Sequence, residues 1–221
     1  MQTRFQNRTQ AGQLLAAQLR DYADRPQVLV LGLPRGGVPV AFEVAKALHI
    51  PLDLCLVRKL GVPKHPELAM GAIATGGVKV LNQEVIRELG ISPATIETVA
   101  ARELQELDRR DRLYRGTRPP PQIKGWTVIL VDDGLATGST MRAAITTLRQ
   151  QQPASLVVAV PVAPPEVYRD FWGVVDKIVC LSTPQPFHAI SLWYEDFAQT
   201  SDAEVQTILN QAGQSETVEA I

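Results

Sequence analysis

Apolar residues in this chain fall into short, nearly unbroken runs separated by stretches of helical period. QVLVLGL (27–33), LDLCLV (52–57), WTVILV (126–131), SLVVAVPV (155–162) and KIVCL (177–181) lack the alternation of half-exposed strands, and predict strands buried on both faces. VAFEVAKALHI (40–50), STMRAAITTLRQQ (139–151) and PEVYRDFW (165–172) space their apolar residues for helices. Alternation of strand and helix implies right-handed crossovers, and so an α/β fold: a mainly parallel twisted sheet flanked by helices. Ligands in such sheets bind beyond the carboxyl ends of the strands.

Two regions depart from this rhythm, within what reads as a single domain, 1–221, whose core is about 25–60 and 125–182. The first is a helical insert, about 61–124, beginning with a hairpin in GAIATGGVKVLN (71–82) that turns at Gly76-Gly77. Asn82 is placed to cap QEVIREL (83–89) and Gly90 to end it. Ser92 and Pro93 then start a longer helix to about Tyr114, whose pairs Glu106–Arg110, Asp108–Arg112 and Asp111–Arg115 read as a solvated face. RPPPQIKG (118–125) is a stiff connector. The second region, about 183–221, is irregular until SDAE (201–204), which has the spacing of a capping box and starts a last helix; QSETVEAI reads as a frayed tail.

Composition narrows the function classes. A hydrophobic share of 45% with 20% charged residues is that of a soluble globular protein, and a net charge of −1 gives no footprint for general nucleic-acid binding. No apolar run approaches a membrane span and the first ten residues lack a signal peptide's apolar stretch, so a cytoplasmic location is expected. Cys55 and Cys180 lie in strand-like runs and read as buried thiols rather than a disulfide. The three histidines do not cluster as metal ligands.

The chemistry concentrates in VILVDDGLATGST (128–140). A strand ends in Asp132 and Asp133; Gly134, Leu135, Ala136, Thr137, Gly138, Ser139 and Thr140 then lead into a helix. Amides at a helix amino end, two glycines able to adopt positive φ and three hydroxyls make an anion cradle. Two unit charges ~5 Å apart repel by roughly 3 kcal/mol at an effective dielectric of about 20, so the acidic pair and the cradle call for different ligand groups. The pair suits a hydroxylated or metal-bound group, and the loop a phosphate. No Lys follows Gly138, so this is not the nucleoside-triphosphate loop. A second cradle is LPRGG (33–37): Gly36-Gly37 can form an amide nest, and Arg35 can hold phosphate oxygens as a fork. Beyond the second strand, Arg58 and Lys59 lead into residues 58–66, where Gly61, Pro63 and Pro66 argue for a mobile cationic loop that also holds Lys64 and His65.

These segments resemble the type I phosphoribosyltransferases. VILVDDGLATGST looks like that family's signature for 5-phosphoribosyl 1-pyrophosphate (PRPP), and LPRGG like its pyrophosphate loop. The resemblance implies that Asp132 and Asp133 hold the ribose 2- and 3-hydroxyls and bear on Mg²⁺, directly or through water. It implies further that Ala136–Thr140 grip the 5-phosphate and that Arg35, Gly36 and Gly37 meet the pyrophosphate; the charge and position of Arg58 and Lys59 suit either to aid its departure. Phe187, His188, Trp193 and Tyr194, with Phe197, occupy the part that forms the acceptor-binding hood in the family; they are equally suited to being the core of a small hood. FQNRTQAGQLLAAQL, LGLPRGGVPVAFEVA, VRKLG…PELAMGAI and PFHAISLWYEDFAQTSDAEV extend the likeness along nearly the whole chain, to a bacterial subgroup of predicted phosphoribosyltransferases. Position 136 is Ala where the hypoxanthine/guanine enzymes carry a carboxylate, which removes the loop's general base and argues against a 6-oxopurine acceptor. The expected activity is Mg²⁺-dependent transfer of phosphoribose from PRPP to a small nitrogenous acceptor, with no nucleic-acid or membrane partner and room for a homo-oligomer. The rival is a PRPP-sensing regulator that keeps the site without the chemistry.

Overall fold

The computed structural model describes residues 4–218 and divides into two compact units. The first comprises residues 1–55, 123–138 and 153–221, and the second 56–122 and 139–152.

In chain order the elements are α1 (Arg8–Ala17), β1 (Val28–Gly32), α2 (Gly37–Leu48), β2 (Leu52–Leu54), β3 (Val57–Val62), β4 (His65–Ala74), β5 (Lys79–Leu81), α3 (Gln83–Glu88) and α4 (Pro93–Arg115). They continue as β6 (Thr127–Val131), α5 (Ser139–Arg149), β7 (Ser155–Val162), α6 (Pro165–Asp170), β8 (Lys177–Ser182) and α7 (Asp202–Val218).

The first unit is built on a five-stranded, wholly parallel sheet in the order β2-β1-β6-β7-β8. All of β1 and nearly all of β6 and β7 are buried, as their unbroken apolar runs require of strands covered on both faces. Leu15 and Leu19, Val40, Val44 and Leu48, and Val30, Ile129 and Val157 form one core between the sheet and the first two helices. From β1 the chain steps outward to β2, whereas from β6 it steps the other way to β7 and β8. The two central strands are therefore neighbours whose following connections diverge, which opens a crevice at their carboxyl ends.

The second unit carries the antiparallel sheet β3-β4-β5, on which α4 and α5 pack. The hairpin turn falls at Gly76 and Gly77, whose φ of 78° and 75° justify the glycine pair. Asn82 and Ser92 cap α3 and α4, the latter through a bond of 3.1 Å from the Thr95 amide.

Several expectations are corrected. LDLCLV is two strands: Leu52–Leu54 pairs with β1, the Cys55 amide gives a last bond to Gly32, and Val57 opens the other sheet. Residues 58–66 are not a loop. They run through β3 into β4 across a tight turn at Pro63-Lys64, with Gly61 absorbed at an irregularity in the ladder, so both breakers sit where a hairpin tolerates them. The face of α4 keeps the Glu106–Arg110 and Asp111–Arg115 pairs, yet Arg115 is buried rather than solvated. Of the expected frayed tail, residues 214–218 continue α7 and 219–221 lie outside the described residues. Helix α1 carries no strong apolar period and was not expected from pattern. Both cysteines are free thiols; Cys55 is buried, and burial pushes the half-buried Cys180 up to about 11. Among the described residues no helix is long and apolar enough to cross a membrane.

Candidate functional site

Both motifs start at the carboxyl ends of β1 and β6; LPRGG and residues 128–138 belong to the first unit, and Ser139 and Thr140 to the second. The Leu33 amide bonds to the Val131 carbonyl at 2.9 Å, so the two loops leave the sheet side by side. Asp132 Oδ1 accepts the Asp133 amide at 2.8 Å, a local turn that fixes the pair at the strand end.

The two carboxylates have different surroundings. Asp133 is 8% exposed; its Oδ2 accepts Arg8 Nε at 2.9 Å and Nη2 at 2.8 Å, and its carbonyl accepts the Tyr194 hydroxyl at 2.7 Å. Arg8 Nη1 donates to the Ala198 carbonyl at 2.7 Å, and the guanidinium lies 3.9 Å from the centre of the Phe197 ring. Asp132 is half-buried. Desolvation, and then the Asp133 charge, push its carboxyl well above the ordinary carboxylate range. Asp133 is also raised, desolvation outweighing the opposing pull of Arg8. Burial, reinforced by the Asp133 charge, raises the Tyr194 phenol, which keeps it a donor.

A stability prediction arises here. A carboxyl raised on folding contributes stability below its unfolded value of 3.8, and that contribution is lost as pH rises through the folded value. The buried Asp132 carboxyl therefore favours the ligand-free fold less and less as pH rises. Asp132→Asn, which can keep the bond from the Asp133 amide, is expected to stabilise the ligand-free chain by about 1 kcal/mol at pH 7 while flattening its stability profile above pH 4. Thermal melts of both proteins across pH check this.

The LPRGG loop differs from expectation in how it uses its glycines. Gly36 has an ordinary right-handed φ of −63° and Gly37 begins α2, so neither exploits positive φ. What they exploit is the missing side chain. A Cβ on Gly36 would overlap Asp133 Oδ2 and lie 2.8 Å from its Cγ; one on Gly37 would lie 2.8 Å from both Asp132 Cα and the Val131 carbonyl oxygen. The loop thus rests directly against the acidic pair. Its turn uses the amides of Gly37, to Leu33, and of Val38, to Arg35, so the expected Gly36-Gly37 nest is reduced, and Arg35 is the loop's one cationic side chain. The Pro34–Arg35 peptide is cis. Arg35 is 37% exposed and 3.8 Å from Asp202 at the start of α7, a separation and exposure at which an ion pair contributes little.

The second loop separates an anchored half from an open one. Leu135 is buried and its amide bonds to Val162, while a Cβ on Gly134 would meet Ile190 and Val162. Gly134 is therefore also required by close packing; only Gly138, with φ 70°, uses the left-handed region. Ala136, Thr137, Ser139 and Thr140 are exposed at the amino end of the 11-residue α5, the arrangement that favours an anion.

The remaining expected residues divide. Tyr194 is buried between Phe5 and Phe197, ring centres 5.4 and 4.9 Å away, and serves Asp133 rather than offering a stacking face. Phe187 and Trp193 are half-buried and His188 is exposed. In the second unit, Arg58 Nε donates to Glu103 at 2.7 Å and Lys59 lies on β3, not on a mobile loop. Sequence reasoning missed Arg8, whose partner stands 125 positions away.

With this geometry in view, the chain can be compared with known proteins. The family model described as a phosphoribosyl transferase domain matches residues 3–171. Two Mycobacterium tuberculosis proteins, each named "Putative phosphoribosyl transferase" (MT0597 in strain CDC 1551, Rv0571c in strain H37Rv), are 46% identical over 208 residues, 94% of this chain and 47% of theirs. The chain thus spans about half the length of the curated relatives it matches. The crystal structure of TT1426 from Thermus thermophilus is similar with a TM-score of 0.87 at 44% identity, covering 95% of this chain and 99% of that one.

Proposed function

The chain belongs to the phosphoribosyl transferase domain family, and on that premise we propose that it transfers phosphoribose from PRPP to a small nitrogenous acceptor with release of pyrophosphate. One observation supports the reading: Gly36 and Gly37 rest on Asp133 and Asp132, so the loop carrying Arg35, the acidic pair and the loop after it leave one edge of one sheet together.

Each group of PRPP then has a partner. Exposed amides and hydroxyls of Ala136–Thr140 take the 5-phosphate, Asp132 and Asp133 accept the ribose hydroxyls, and Arg35 with Gly36 and Gly37 lines the pyrophosphate. At C1 the bond to pyrophosphate oxygen breaks with both electrons leaving on that oxygen, and the acceptor nitrogen supplies the electron pair of the new bond. The transition state has oxocarbenium character. The chain's contribution is to align the two ends and stabilise charge on the departing group, chiefly through Arg35.

Among the described residues no group of three or more His, Cys, Asp or Glu side chains could hold a metal. Two adjacent carboxylates nevertheless suit Mg²⁺, which commonly takes one or two carboxylates and completes its shell from substrate oxygens and water. Asp132, which Arg8 does not pair with, is the group to hold it, with Asp133 beside it. When bound, it would supply charge neutralisation to the pyrophosphate.

Arg35→Ala is expected to weaken PRPP and pyrophosphate by about 1.5–3 kcal/mol, the scale of a charged hydrogen bond, while ribose 5-phosphate binds nearly as before. Competition titrations with the three ligands check the assignment. The activity itself is tested by pyrophosphate release from PRPP with Mg²⁺ across a panel of nitrogenous bases, run beside a nucleic-acid gel shift. Release dependent on one base supports the transferase. Tight PRPP binding with no release and a PRPP-dependent gel shift would instead identify a regulator.

A further inference from the structure

We infer that Arg8 is a positioning residue of this site: it converts Asp133 into a fixed, charge-neutralised acceptor and leaves Asp132 outside the ion pair. The inference rests on the PRPP reading above and adds a residue to it.

The backbone around Arg8 is fixed before its side chain is considered. Residue 5 pairs with the hood segment through Phe5 N–H to Trp193 O at 2.9 Å and Glu195 N–H to Phe5 O at 2.8 Å; Asp196 N–H then reaches Gln6 O at 2.9 Å. Asn7 caps α1 by accepting the Gln10 amide at 2.9 Å, so Arg8 is the first helical residue, held from both sides. Its guanidinium is fully directed: Nε and Nη2 toward Asp133, Nη1 toward Ala198, and one face on Phe197. At 11% side-chain exposure it is closed off from solvent as an ordinary surface arginine is not.

The consequence falls on the pair. The ion pair of Arg8 is with Asp133, so Asp132 stands outside it. Asp133 Oδ2 is taken, which sets the plane of the carboxylate and leaves Oδ1 as the oxygen outside the ion pair. Tyr194, from the segment that residue 5 pairs with, fixes the same residue through its carbonyl. Asp133 is thus gripped by a single assembly of the amino-terminal segment and the hood. A planar fork performs this with donors in a fixed spread, which a single ammonium lacks.

The test compares wild type, Arg8→Ala and Arg8→Lys by calorimetry with PRPP and, separately, pyrophosphate, both with Mg²⁺, beside thermal melts. Folded Arg8→Ala is expected to bind PRPP at least about tenfold more weakly and pyrophosphate within about threefold of wild type, with Arg8→Lys in between for PRPP. Should Arg8→Ala fail to fold, Arg8→Lys carries the test through the same contrast. PRPP affinity unchanged in a folded variant, or PRPP and pyrophosphate lost in step, overturns the positioning role. A wild-type chain that binds pyrophosphate but not PRPP overturns the parent reading instead, and is distinguishable because it appears before any substitution.

Discussion

Gly37→Ala is expected to destabilise the chain by about 3 kcal/mol and to abolish PRPP binding, although it adds one methyl group at a position of ordinary helical conformation. The reason is what the methyl meets. It would lie 2.8 Å from Asp132 Cα and 2.8 Å from the Val131 carbonyl oxygen, backbone atoms at the end of a central strand. Neither can swing aside as a side chain can. Relief requires the LPRGG loop to lift from β6, and that separates Arg35 from the acidic pair. For a chain of this size the loss corresponds to a melting temperature lower by roughly 10 °C. Gly36→Ala makes the informative contrast. Its methyl meets the Asp133 carboxylate, so it is expected to cost less stability while still removing PRPP binding. Thermal melts of the two variants, each followed by a PRPP titration, check the order. Equal stability for wild type and Gly37→Ala would show that the two loops are not in close contact.

Asp133→Asn is the second large effect, and its sign opposes that of its neighbour. Burial by itself disfavours the Asp133 charge, but that charge neutralises an arginine whose side chain is 11% exposed, and its removal leaves a largely buried cation without an anion, the larger of the two effects. Breaking such a pair is expected to cost about 3 kcal/mol, whereas Asp132→Asn relieves repulsion and stabilises. Chemically the two substitutions are identical and their sites are adjacent; only the reach of Arg8 separates them. Asp133→Asn should also weaken PRPP by about tenfold or more while leaving inorganic phosphate nearly unaffected, since a ribose hydroxyl loses a charged acceptor and the phosphate loop loses nothing. Melting curves and parallel titrations check both halves. A shared sign for the two stability changes would contradict the asymmetry of the pair.

The five core strands and the helices between them were readable because parallel strands buried on both faces leave long apolar runs. The order of those strands was not readable: nothing local in QVLVLGL or WTVILV records that they lie side by side, and that adjacency turns two separate loops into one site. LDLCLV shows the same limit in reverse. It reads as one strand because no breaker separates Leu54 from Leu56, yet it serves two sheets. Residues 58–66 read as a loop because Gly61, Pro63 and Pro66 are breakers, although an irregular register accommodates Gly61 and a two-residue turn holds Pro63.

Within the site, the acidic pair, both loops and Arg35 were legible from residue type and spacing. The use of Gly36 and Gly37 was not, since sequence cannot distinguish a glycine chosen for its φ from one chosen for its missing Cβ. Arg8 was illegible for a different reason. A long-range ion pair leaves no periodicity, and the local sign at that position, Asn7 ahead of a helix, explains the cap but not the guanidinium. Tyr194 was noticed as an aromatic ring, whereas its structural work is done by its hydroxyl.

The central claim is that one ligand joins the two loops through the acidic pair. The most direct measurement is calorimetry of the unmodified chain with Mg²⁺, titrated in turn with PRPP, ribose 5-phosphate and pyrophosphate. Because linked groups share one association cost, PRPP is expected to bind at least about 100-fold more tightly than either fragment. PRPP binding no tighter than pyrophosphate, or not at all, would contradict the account.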